Sequence, residues 1–171
     1  MKKIVVFGKP GSGKSTLSKS LASATEIKLH ALDSIVFNKN GSRVDRVTYD
    51  EKHESILSSD SWIIDGFGPV ESFYERLEVA DTLIYIELPY IICYWLVTKR
   101  LLKGILIKPE GWPDGSSILK GTLEGYKVLR ICPKFWNKNF MQKLEKISTN
   151  KSLYVIRSVA ELNSFVDKNV R

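Results

Sequence analysis

Five short apolar runs rich in β-branched residues punctuate the chain, at Lys3 to Phe7, Ile27 to Leu32, Ser61 to Asp65, Thr82 to Leu88 and Leu153 to Ile156. Runs of this length, bounded by glycine or polar residues, predict strands buried on both faces. Between them the spacing turns helical. Leu17 and Leu21 share a face over Gly13 to Ala24, and further helices are predicted near Thr48 to Ser58, from Pro89 to about Leu102, within Gly125 to Ile147, and over Ala160 to Lys168. Strands alternating with helices imply a three-layer α/β fold, a parallel sheet with helices on both faces, with the first strand central. A polar turn is expected at Asn38 to Ser42. The stretch Lys103 to Gly125 carries Gly or Pro at 104, 109, 111, 113, 115, 121 and 125, and reads as an irregular, lid-like excursion at about 100–125 within a single domain of 1–171.

The first strand runs into Gly8-Lys9-Pro10-Gly11-Ser12-Gly13-Lys14-Ser15, which matches GxxxxGK[ST] between a buried strand and a helix. In such a loop the glycines let backbone amides converge on phosphates, and the helix start adds the positive end of its dipole. Lys14 then reaches the β and γ phosphates, the Ser15 hydroxyl ligates magnesium, and Thr16 is placed to touch the α phosphate. The pattern predicts binding of a nucleoside triphosphate, read here as ATP, with Mg2+.

Composition narrows the picture further. With 43% hydrophobic and 26% charged residues, the chain is neither a disordered nor a disulfide-stapled type. Cys93 and Cys132 form no metal-ligand spacing and read as buried thiols. The apolar stretch Tyr90 to Thr98 is too short to span a bilayer, and Lys2-Lys3-Ile4 leads into the glycine loop rather than a signal peptide, so the expected location is the cytoplasm and no membrane partner is expected. The net charge of +7 is concentrated, because residues 99–151 hold 12 Lys or Arg against 4 Asp or Glu. That implies an anionic partner, either the phosphates of a small molecule or those of nucleic acid.

Trp62-Ile63-Ile64-Asp65-Gly66-Phe67 is a buried strand ending in an acid, the way a second magnesium group is presented beside such a loop. Asp65 would act through a metal-bound water. Together with LHALD after the second strand, ADTLIYIELP at the fourth and LYVIRS near the end, these segments resemble adenylate-kinase-like P-loop kinases, and most closely the bacterial topology modulation protein group. The resemblance implies a five-stranded sheet, a lid after the fourth strand and ATP-dependent phosphoryl transfer. It also implies that Arg100 sits at the lid helix end near the nucleotide, and that Arg157, with Ser158, borders the base. Arg157 reads equally well as a solvated loop charge. Two departures stand out: Gly68-Pro69 lacks the arginine that grips a nucleoside monophosphate, and Leu96 and Leu101 occupy positions where arginines are usual.

Asp33, in His30-Ala31-Leu32-Asp33, follows the second strand at the carboxyl edge of the sheet, where doubly wound folds bind ligands. An acid there can orient a hydroxyl acceptor or take its proton; alternatively Asp33 caps the next segment and His30 is a strand-end residue. Arg43 and Arg46 are weaker candidates for an acceptor phosphate, and Trp112 and Trp136 either stack on bases or pack in the core. The sequence therefore reads as a magnesium-dependent kinase of a small molecule, with Lys14, Asp33 and Arg100 as catalytic candidates. A nucleoside or nucleotide kinase, and a nucleotide-switched regulator binding nucleic acid, are the competing readings. Oligomeric state is not legible in the sequence.

Overall fold

The computed structural model describes residues 1–36, 42–106 and 118–170. Five strands form one parallel sheet: β1 (Lys3–Gly8), β2 (Leu29–Ala31), β3 (Trp62–Asp65), β4 (Thr82–Ile86) and β5 (Ser152–Ile156). Their order is β2-β3-β1-β4-β5, so β1 is central, as its apolar run demands. The helices are α1 (Lys14–Thr25), α2 (Asp33–Val36), α3 (Arg46–Leu57), α4 (Val70–Val79), α5 (Tyr90–Leu106), α6 (Ile118–Ile131), α7 (Lys138–Ile147) and α8 (Val159–Asn169). A 3-10 turn at Cys132–Lys134 separates α6 from α7.

Alternation along β1 builds two cores. Ile4 and Val6 pack with Leu17 and Leu21 of α1, Cys93 and Val97 of α5 and Phe165 of α8. Val5 and Phe7 face the other way, toward Tyr49, Phe73 and Phe140, and all four β1 side chains are fully buried. Each such side chain removed from water contributes roughly 1.5–3 kcal/mol. Phe7 sits in a cluster with Tyr85 at 5.4 Å, Phe73 at 5.3 Å and Trp136 at 6.1 Å between ring centroids. Trp136 is therefore a packing residue rather than a platform for bases. Cys93 and Cys132 are free and buried.

Two expectations change. The long helix after β4 runs on to Leu106, and α6 begins at Ile118, so the ends of the supposed irregular excursion are helical. Gly125 lies inside α6, and a Cβ there would stand 3.5 Å from Val97 Cγ1, so the small residue serves close packing of α6 on α5 instead of a loop. The helix expected within 125–147 comes in two pieces, divided by the turn at Pro133, whose ring cannot continue the backbone ladder. The middle of the excursion, with Lys108 and Trp112, and most of the turn at 38–42 fall outside the described residues.

Candidate active site

The loop from Gly8 to Gly13 joins the carboxyl end of β1 to α1 and is built around close backbone approach. At Gly8, φ is 150° and a Cβ would lie 2.5 Å from the Ile86 carbonyl oxygen at the end of β4. At Gly11, φ is 72° and a Cβ would lie 2.7 Å from both the Cys93 carbonyl oxygen and Val97 Cγ2 of α5. Neither position tolerates a side chain without moving a neighbouring element. Gly13 is the left-handed N-cap of α1, with no side-chain capping bond and no acid in the first turn, so no side chain competes for the first-turn amides. A helix start arranged this way favours an anion. Lys14 Nζ donates to the Lys9 carbonyl at 2.9 Å, drawing the ammonium across the loop. Lys9 is itself buried, with its ammonium 4.5 Å from the Tyr90 ring centroid, a cation–π contact that anchors the loop to α5.

Pairing of Val6 with Asp65 in the β1–β3 register brings the end of β3 level with this loop. Ser15, in the first turn of α1, lies near enough to Asp65 for its hydroxyl to favour the charged carboxylate. Burial pushes the Asp65 carboxyl up from its ordinary range, while the Lys14 ammonium and the Ser15 hydroxyl pull it down. Conversely, burial lowers Lys14, and the charges of Asp65 and Asp33 oppose that shift. Asp65 is 6% exposed, and its Oδ1 has no hydrogen-bond partner among the described residues. A buried carboxylate oxygen left open costs free energy unless a cation or water meets it. Ser12 Oγ, fully buried in the loop, is likewise without a partner there.

The structure thus gathers Gly8, Pro10, Gly11, Ser12, Gly13, Lys14, Ser15 and Thr16 with Asp65. Asp33 opens α2 on the exposed surface, and its charge acts on both Lys14 and Asp65. The link is direct in the backbone, since Leu32 N donates to the Asp65 carbonyl at 2.9 Å. Arg100 lies exposed on α5, one turn beyond the Val97 that abuts Gly11. Arg157, exposed after β5, pairs through Nε with Glu87 at 3.0 Å, close to where Leu162 of α8 meets Gly13.

Other candidates lie elsewhere. His30 lines a shallow cavity of about 650 Å³ between β2 and α3, with Lys28, Glu51 and Lys52, which shares no residue with the loop from Gly8 to Gly13. Arg46 is exposed and pairs with Asp50 at 2.7 Å. The Lys103 side chain is outside the described set.

Sequence reasoning missed Arg76, Tyr49 and His53. Arg76 of α4 is completely buried, and its guanidinium reaches the Phe67 carbonyl, His53 Nε2 at 3.2 Å and the Tyr49 hydroxyl at 3.5 Å. One signal was available: the arginine interrupts the apolar face that Phe73 and Leu77 define at helical spacing.

No family model matches the chain, and no curated protein matches it. Among solved structures, a shikimate kinase from Acinetobacter baumannii in complex with shikimate is similar over 99% of this chain and 94% of its own, at TM-score 0.58 and 15% identity. An unliganded sugar kinase from Janibacter sp. also aligns, over 98% of this chain and 91% of its own, at TM-score 0.49 and 17% identity. The first of these shares the fold of this chain, a five-stranded parallel sheet with flanking helices.

Proposed function

We propose that the protein is a magnesium-dependent kinase that transfers a phosphoryl group from ATP to a hydroxyl of a small molecule. The observation that carries this reading is the register that sets Asp65 level with the loop, near Lys14 and Ser15, with its buried Oδ1 unpartnered among the described residues. Among the described residues no cluster of three metal-ligating side chains exists. That fits magnesium, which is commonly held by one or two protein oxygens together with phosphates and water rather than by an all-protein cage. Ser15 would ligate the ion directly and Asp65 would hold it through water. When bound, the metal supplies neutralisation of the phosphate charge.

The chain's own groups account for the remainder. The unobstructed amides at the start of α1 receive the phosphates, and Lys14 exchanges its bond to the Lys9 carbonyl for one to the β and γ phosphates. Asp33, close enough for its charge to act on Lys14 and Asp65, orients the acceptor hydroxyl and takes its proton. Arg100 lies on α5, which meets Gly11, and Arg157 just before α8, which meets Gly13, and there they would meet the nucleotide. Release from Glu87 is required before Arg157 can do so. Transfer then rests on positioning and charge stabilisation, with no covalent enzyme intermediate.

The similarity to a kinase of a small carboxylic acid supports a small-molecule acceptor, and Gly68-Pro69, lacking an arginine, disfavours a nucleoside monophosphate. The resemblance to the topology modulation group belongs to the same reading, and leaves the nucleotide-switched regulator as the competing outcome. The test is a panel of sugars, hydroxy acids, nucleosides, nucleotides and cofactors screened for acceptor-dependent ADP release. Release above the ATP-only rate, lost in Lys14→Ala, is expected. Tight Mg-ATP binding with no acceptor-dependent release, together with salt-sensitive DNA affinity, would favour the regulator.

A further inference from the structure

Arg76 is a buried ionisable group that the mechanism above leaves unused. It is fully buried, yet its hydrogen-bond partners among the described residues are neutral, the Phe67 carbonyl, the Tyr49 hydroxyl and the His53 imidazole, and the Glu75 charge acts on it without a hydrogen bond between them among those described. Its Nε has no partner among the described residues. Because Arg76 Nη1 must donate, His53 Nε2 is the accepting nitrogen and Nδ1 carries the hydrogen, facing Glu75 at 3.6 Å. Burying a guanidinium is costly, and well-packed apolar residues usually serve stability as well or better. The charge is therefore better explained by what it holds than by the packing of α4.

What it holds is the turn that follows Asp65. Phe67 lies between Gly66 at φ 122° and Gly68 at φ 63°, so two of the three residues beyond the carboxylate are conformationally permissive. A Cβ on either glycine would press on Leu32, the residue before Asp33. The same turn is thus fitted against the segments carrying both acids. A planar fork of charge-assisted donors can tie one carbonyl to two groups on another helix, which a lysine cannot match.

We propose that Arg76 is a positioning residue: seated against Tyr49 and His53 of α3, it fixes the Asp65–Gly68 turn through the Phe67 carbonyl and keeps Asp65 aligned with Ser15 and Lys14. Its consequence for magnesium rests on the kinase reading; its hold on the turn does not.

The experiment uses the full chain in two arms. In the ligand-free protein, amide hydrogen exchange is followed at Gly66, which donates to the Val6 carbonyl at 3.2 Å, and at Leu32, which donates to the Asp65 carbonyl at 2.9 Å. Arg76→Met and Arg76→Lys should raise exchange at these two amides by about 10-fold or more, the loss expected for a hydrogen bond to a charged group, with β4 amides unchanged. In the second arm, calorimetry with a non-hydrolysable ATP analogue compares binding with Mg2+ and with EDTA. The gain in affinity conferred by Mg2+ should fall by about 10-fold in Arg76→Lys while metal-free affinity stays within about 2-fold. Should the Arg76 variants fail to fold, His53→Leu, which removes the nearer of the two acceptors on α3 and keeps apolar volume, should loosen the same two amides. Exchange rising equally across the sheet, or unchanged at both amides, would overturn the proposal. Wild-type protein showing no magnesium-dependent affinity would instead count against the kinase reading, and the first arm would still decide the role of Arg76.

Discussion

Val6 and Asp65 are register partners in the parallel pairing of β1 and β3, and the Gly66 amide following Asp65 donates back to the Val6 carbonyl at 3.2 Å. This one relationship places an acid from position 65 beside a loop that begins at position 8. It also explains why Asp65 is buried and polar at once, since β3 carries it through the core to the edge where ligands enter.

Asp65→Asn is expected to weaken nucleotide binding in the presence of Mg2+ by about 10-fold or more, in the range of a charge-assisted hydrogen bond, and to leave metal-free binding almost unchanged. Calorimetry with and without EDTA checks it. Equal losses in both conditions would make Asp65 a structural acid.

Lys14→Ala should lower ATP affinity or turnover by about 10- to 100-fold, because a charged donor to the phosphates is lost. The melting temperature should barely move, since the Nζ bond to the Lys9 carbonyl is local. Unchanged affinity would remove the basis for the phosphate-binding loop.

For Asp33→Asn, acceptor-dependent turnover is expected to drop by roughly 10²–10⁴-fold, the usual contribution of a positioned proton acceptor. ATP affinity should stay near wild type, as Asp33 is exposed and outside the loop from Gly8 to Gly13. A neutral result would reduce Asp33 to the first residue of α2.

Gly11→Ala introduces a Cβ 2.7 Å from the Cys93 carbonyl oxygen at a left-handed φ of 72°. A strain on the order of 1–3 kcal/mol is expected. Chemical denaturation should register that loss, and nucleotide binding should fall with it. Full stability in this variant would show that the loop and α5 do not meet as described.

Acid sensitivity should centre on His53. Burial first, and then the Arg76 charge, lower its pKa to about 4, with Asp50 opposing and Arg46 adding to the shift. The folded state therefore favours the neutral ring, and the unfolded chain binds the extra proton as pH falls below about 6.5. Stability is fully present above that value and should decline progressively toward pH 4, by at most about 3 kcal/mol. His53→Gln should flatten this part of the pH profile in denaturation experiments; an unchanged profile would place the sensitivity elsewhere.

The sequence by itself determined the sheet and the strand-to-helix loop that follows β1. Apolar runs at Lys3 to Phe7 and Thr82 to Leu88 are local patterns with one economical solution, and GxxxxGK[ST] is a contiguous motif whose geometry its glycines dictate. Only the tertiary structure decided the rest. Gly121 and Gly125 look like loop punctuation in sequence, yet they lie within α6, where the gain from packing Gly125 against Val97 outweighs weak helix propensity. His30 was as legible as Asp33 in LHALD, but strand pairing sends one to a cavity at the sheet edge and the other toward Lys14. Arg76 reads as a surface charge until α3, α4 and the turn after β3 are brought together around it. Its partners at 49, 53 and 67 are set by how helices pack on the sheet, and that information is non-local.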